Sequence, residues 1–130
     1  MSAKRSGGTG FQPVSFFKIT RRNLPHWQEP ERVYFLTWRC AKGQTLTPRE
    51  RTITLEALRY WDGRKWTVYA AVIMPEHVHA LAQPLVKNER GTFDLGEILH
   101  SVKSYSAHEI NKQRECFYFH NQRKTFSGWN

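Results

Sequence analysis

Two histidines separated by one residue, His77 and His79, sit in the run VIMPEHVHALAQP over residues 72–84. An apolar run stops at Met74-Pro75, and the chain restarts at once with His77-Val78-His79. Side chains of an extended strand alternate between its two faces. Both imidazoles therefore point the same way, roughly 6–7 Å apart along the strand. Val78, Ala80 and Ala82 point the other way, toward a core. Two imidazoles on one rigid face make half of a metal site, and carboxylate or amide ligands must come from elsewhere. The plainer alternative is a pair of partly exposed strand histidines that bind nothing. A His-x-His pair alone is a weak motif. Its place on a strand, directly after a Pro-containing turn, strengthens it.

The elements that must position these groups follow from local pattern. Residues 33–39, VYFLTWR, are rich in β-branched and aromatic side chains and read as a first strand. Thr47-Pro48-Arg49-Glu50 places a capping Thr, a Pro in the first turn and Glu at the third position of a helix. Ile53, Ala57, Leu58 and Trp61 then recur at helical spacing, and Asp62-Gly63 ends the helix. Residues 66–74 and 77–83 form two strands joined by a tight turn, hence an antiparallel hairpin. Residues 87–92 read as a polar loop. A second helix starts at Asp94, with Glu97 at the capping-box position. Leu95, Ile98, Leu99 and Val102 form its apolar stripe. Tyr105 lies at the edge of that stripe. Glu109 follows Tyr105 by one turn, and His108 lies on its other side. By periodicity Tyr105 reads as a half-buried tyrosine completing the stripe, and Glu109 as a solvated helix charge pairing with a nearby Lys. The order β-α-β-β-α predicts an α+β, ferredoxin-like antiparallel sheet with helices packed on it. Residues 1–13 read as a flexible basic arm, 14–115 as the domain, and 116–130 as an irregular tail.

Composition bounds the function. The 130 residues suffice for one domain with a real core, and 39% apolar with 14% aromatic content fits a folded chain. No apolar run approaches a membrane span or a secretory signal. Cys40 and Cys116 form no CxxC pair, so a zinc knuckle is unsupported and a reducing cytoplasm with free thiols is expected. The net charge of +9 and pI near 9.9 point to a polyanionic partner, usually nucleic acid. Trp27, Trp38, Trp61 and Trp66 lie among arginines and lysines, an arrangement that suits stacking on single strands, although the same rings could fill a core.

Three segments taken together resemble a known family. RRNLPHWQEPERVYFLTWRC is similar to the start of the IS200-like and REP-associated tyrosine transposases, single-tyrosine HUH nucleases. VIMPEHVHALAQP resembles their His-hydrophobic-His segment, and LGEILHSVKSYSAHEINK resembles their nucleophile helix. The resemblance implies a nuclease and strand transferase acting on single-stranded, hairpin-forming DNA. Tyr105 would be the nucleophile, giving a 5′-phosphotyrosine link. His77, His79 and a polar residue one turn after the tyrosine, here Glu109, would hold a divalent ion, Mg²⁺ or Mn²⁺. Glu departs from the Asn or Gln often found there, and His108 is the other candidate for third ligand. Arg21, Arg22, Arg39 and Lys103 are the cations expected to contact DNA. In the family the nucleophile helix can come from the partner of a homodimer.

Other chemistries lack their motifs. There is no HExxH, no HxE with CxxC and no P-loop. An RNA-binding RRM would need a glycine-aromatic RNP1 strand, which VYFLTWR is not. In the transposase family the chain continues after the nucleophile helix with a Trp-containing strand and further helices. The 116–130 segment does not resemble these. The alternative expectation is therefore a decayed or domesticated DNA-binding module without nuclease activity.

Overall fold

The computed structural model describes residues 18–19, 31–116 and 125–130. The expected basic arm, Trp27, Arg21 and Arg22 lie outside the described residues. A two-residue strand β1 (Lys18–Ile19) runs parallel to β2 (Tyr34–Arg39). Then follow α1 (Pro48–Tyr60), β3 (Trp66–Ile73), β4 (His77–Pro84), a short hairpin β5 (Val86–Asn88) and β6 (Gly91–Thr92), and α2 (Leu95–Cys116). The main sheet has spatial order β1-β2-β4-β3, with β4 antiparallel to both β2 and β3. The crossover from β2 through α1 to β3 leaves one place open, and β4 fills it. That is the split βαβ arrangement of a ferredoxin-like α+β fold. No helix among the described residues is long and apolar enough to cross a membrane.

Strand β2 alternates buried and accessible residues, with Tyr34, Leu36 and Trp38 inward. Strand β4 does the same with Val78, Ala80 and Ala82. Both helices cover this one face. Ala57 and Leu58 of α1 and Leu95, Ile98, Leu99 and Val102 of α2 complete the core with Trp66. The indole of Trp66 is fully buried and donates to the Leu58 carbonyl at 3.2 Å, so it both fills space and pins β3 to α1. Among the described residues, no helix lies on the opposite face of the sheet.

Helix α1 starts as the sequence predicts. The Glu50 amide donates to Thr47 Oγ1, and the Thr47 amide donates to Glu50 Oε1, a complete capping box. Glu50 has a second task. Its carboxylate accepts from Arg114 Nε at 2.9 Å and from an Arg114 terminal nitrogen at 2.8 Å, and both residues are buried. Arg114 also donates to the Thr45 carbonyl and to Gln44 Oε1. One guanidinium thus ties the start of α1, the end of α2 and the loop after β2. A charge buried this deeply needs such full pairing.

The chain's end is ordered beyond what its sequence pattern suggests. Residues 125–130 form no helix or strand, but they return along the end of β2. Ala41 donates to the Gly128 carbonyl, and Asn130 donates to the Arg39 carbonyl. Phe126 is buried with Cys40, Leu46 and Ile110 in a second small core. Asn111 bonds both backbone groups of Phe126, and the Trp129 indole donates to Ser106 Oγ at 3.1 Å.

Candidate functional site

The uncovered face of the sheet carries the histidines. Register pairs Thr37 with His79 and Arg39 with His77 on one side, and Val72 with His79 on the other. The two imidazole centroids lie 4.7 Å apart with planes at 75°. Phe35 stacks on His79 at 5.6 Å and 8°. Thr37 Oγ1 lies 3.0 Å from His79 Nδ1. With Thr37 accepting, the ring proton sits on Nδ1 and Nε2 keeps the lone pair that a metal requires. The mount is firm. In the turn before His77, the Cys40 amide donates to the Glu76 carbonyl and the Leu46 amide to the Pro75 carbonyl. Met74 donates to the His77 carbonyl across the hairpin. A cavity of about 300 Å³ opens at this same end, lined by Arg39, Lys42, Gln44, Glu76 and Asn130 among others. The Arg39 guanidinium lies 3.7 Å from Glu76, both largely exposed.

The remaining expected site residues are elsewhere. Tyr105 is 56% exposed, on the solvent side of a helix that packs against the other sheet face. The buried row of α2 does not pass through it. After Val102 the row continues through Ser106, Ile110 and Arg114, spaced by four residues. Each such step advances about 40° around the helix, which moves the buried side away from Tyr105. The reading of Tyr105 as a half-buried stripe residue is thereby corrected. Glu109 lies on α2 as well, paired with Lys112 at 3.4 Å. Among the described residues no three His, Cys, Asp or Glu side chains are grouped as a metal site. Within one chain His77 and His79 lie together on the open sheet face, whereas Tyr105, His108 and Glu109 are carried by α2, the helix packed on the other face. Of the expected DNA-contacting cations, Arg39 stands beside the histidines, while Lys103 lies over the Trp38 ring at 5.8 Å.

Phe35 and Thr37 contribute to the site without any motif to announce them. Period two carries a signal for both, since alternate residues of VYFLTWR must share one face and 35, 37 and 39 are the alternative to 34, 36 and 38. What one strand's pattern lacks is its register against the next. Near the site, burial pushes the Cys40 thiol up to about 11, against the lowering field of Arg114. No family model, curated protein or solved structure matches the chain.

Proposed function

We propose that this chain is an IS200-like, single-tyrosine HUH protein that binds single-stranded DNA across its open sheet face and cleaves and joins it, as in DNA transposition. The observation that carries this reading is the pair of imidazoles, 4.7 Å apart on a rigid strand face that none of the described helices covers. Their donor set fits a divalent ion only in part, because the described residues add no third ligand there. Phosphate oxygens and water would complete the shell. Such an ion would stabilise charge on the scissile phosphate. The Tyr105 phenol oxygen would form a bond to phosphorus as the P–O3′ bond breaks. The phenol gives up its proton, and the departing 3′ oxygen takes one up. One phosphodiester is lost and one gained, so a later 3′-hydroxyl can rejoin the strand without another energy source.

Because Tyr105 is exposed on the helix that packs against the other sheet face, this reading takes Tyr105 from a second copy. Mixing two inactive variants tests that requirement. His77→Ala/His79→Ala retains the tyrosine, and Tyr105→Phe retains the imidazoles. Each alone should give no covalent adduct with a hairpin-bearing single strand and Mn²⁺ on a denaturing gel. The mixture should regain adduct, mapped to Tyr105 by mass spectrometry. An adduct on another tyrosine, or one retained by Tyr105→Phe, would overturn the assignment.

A second reading is favoured by the placement of Tyr105 and by the Glu109–Lys112 pair. It is a DNA-binding module of the same fold without nuclease activity. Intact binding with no adduct from wild-type protein would select it.

A further inference from the structure

The end of the sheet farthest from His77 carries a second concentration of cations and rings. Helix α1 ends on exposed Tyr60, with Trp61 as its cap residue and their rings 4.7 Å apart, edge to face. Arg64 lies 4.4 Å over the Tyr60 ring. The Lys65 ammonium sits 4.4 Å over Trp61 and 5.6 Å from the Phe93 ring. Lys87, from β5, approaches the same Phe93 ring at 5.9 Å. Backbone bonds hold the strands of this cluster together: Leu85 donates to the Lys65 carbonyl, and Phe93 donates to the Leu85 carbonyl.

Among the described residues, the ion pairs Arg39–Glu76, Lys112–Glu109 and Arg114–Glu50 all lie elsewhere, and none involves Arg64, Lys65 or Lys87. The nearby carboxylate of Asp62 is used internally, accepting from the Val68 amide at 2.8 Å. Two ammonium groups drawn to one ring repel each other, and ring faces compensate only in part. An anion seated between them removes that repulsion. Exposed aromatic ring faces beside such cations are what a nucleobase stacks on.

We infer that Tyr60, Arg64, Lys65, Lys87 and Phe93 form a second contact site for single-stranded nucleic acid, remote from the histidines. The site holds phosphates through the lysines and arginine and a base against Tyr60. The eight residues of β4 run from His77 to Pro84, which sets the two ends roughly 23 Å apart at strand rise. One strand touching both ends must therefore span several nucleotides. The inference rests on the DNA-binding reading above and extends it to a surface that no step of the cleavage chemistry uses.

The test is fluorescence anisotropy with a labelled 16-nucleotide oligothymidylate over a salt series, using full-length protein. Wild-type affinity should fall steeply with salt. In K65Q/K87Q the log–log slope should become shallower by about 1.4, since each neutralised phosphate accounts for about 0.7 of it. K65R/K87R should restore the wild-type slope. Tyr60→Ala should weaken binding about five-fold or more, the loss of one stacked base. A wild-type slope in K65Q/K87Q, with its circular dichroism unaltered, would overturn the second site and leave the histidine site standing. Tighter binding of a duplex of equal length would overturn the single-strand assignment. Absence of binding by wild-type protein at low salt would instead remove the DNA reading on which the inference rests.

Discussion

Val78, Ala80 and Ala82 of β4 are at most 2% exposed, whereas His77, His79, Leu81 and Gln83 between them all remain partly accessible. The two sets share a backbone and differ in what surrounds them. On the covered face, small side chains at Ala80 and Ala82 let two helices approach the sheet, and Leu36, Trp38, Ile98 and Val102 fill the gaps. Every residue there is constrained by volume. On the open face none of the described helices packs from above, so volume constrains the imidazoles less than the residues between them. His79 stacks on Phe35 and bonds Thr37, and His77 lies beside it on the same face. The contrast separates residues enclosed by the core from residues of the same strand that face outward.

The largest expected consequence lies on the covered face. Trp66→Ala should cost about 3–5 kcal/mol, from a large cavity and a stranded Leu58 carbonyl. His77→Ala, on the open face, should shift stability by no more than about 0.5 kcal/mol. Urea unfolding of both variants checks the difference. Equal losses would mean that the open face is also structural, and the separation drawn above would collapse.

A second contrast is in pH. Cys40 continues the covered side of β2, and its folded pKa is raised from 9.0 to about 11 by burial. Below pH 9 the thiol is protonated in folded and unfolded chains alike, and its contribution is fully present. Between pH 9 and 11 the unfolded thiol loses its proton while the folded one keeps it. The unfolded state then binds fewer protons, so stability falls as pH rises, by at most about 2–3 kcal/mol once the folded pKa is passed. Cys40→Ala should show a shallower alkaline loss than wild type in thermal melts at pH 8, 9.5 and 11. Parallel curves would show that desolvation of this thiol does not govern the alkaline limb.

How much of this is legible in the chain depends on whether the cause is local. The α1 capping box, the hairpin and the alternation of β4 follow from neighbours a few residues apart, and the helices and the 66–84 hairpin stand where the pattern puts them, with Met74 dropped from the first strand and Pro84 added to the second. Helix α2 outlasts its apolar stripe because Ser106 and Arg114 are buried polar residues. Their partners are Trp129 and Glu50, distant in sequence. The packing of residues 125–130 has the same origin, since Asn111 and Ser106 hold them and no periodicity announces it. The polar stretch after β4 contains the small β5–β6 hairpin, too short for a two-residue period to register. Tyr105 is not a stripe residue because the buried row shifts onto Ser106, a tertiary effect. Its proposed role as nucleophile depends on a second copy, which sequence spacing within one chain does not describe.

A modest expected effect on stability is the most informative about the site. Thr37→Val keeps shape and β-branching but removes the hydroxyl that meets His79 Nδ1 at 3.0 Å. The stability change should be about 0.5–1.5 kcal/mol, the net value of one partly exposed hydrogen bond. If His79 is only a strand residue, nothing else changes. If it is a ligand through Nε2, Nδ1 carries the proton and donates to Thr37, whose hydroxyl holds the ring's orientation, and its loss leaves the ring free to turn. Removing such an outer partner weakens metal binding by about 10–100-fold in known sites. Isothermal titration with Mn²⁺ in the presence of a single-stranded oligonucleotide should therefore show a clear loss for Thr37→Val. Thr37→Ser, which keeps the hydroxyl, should stay close to wild type. A Thr37→Val protein that binds Mn²⁺ as wild type does would place the ion away from His79 and return the open face to plain stacking chemistry.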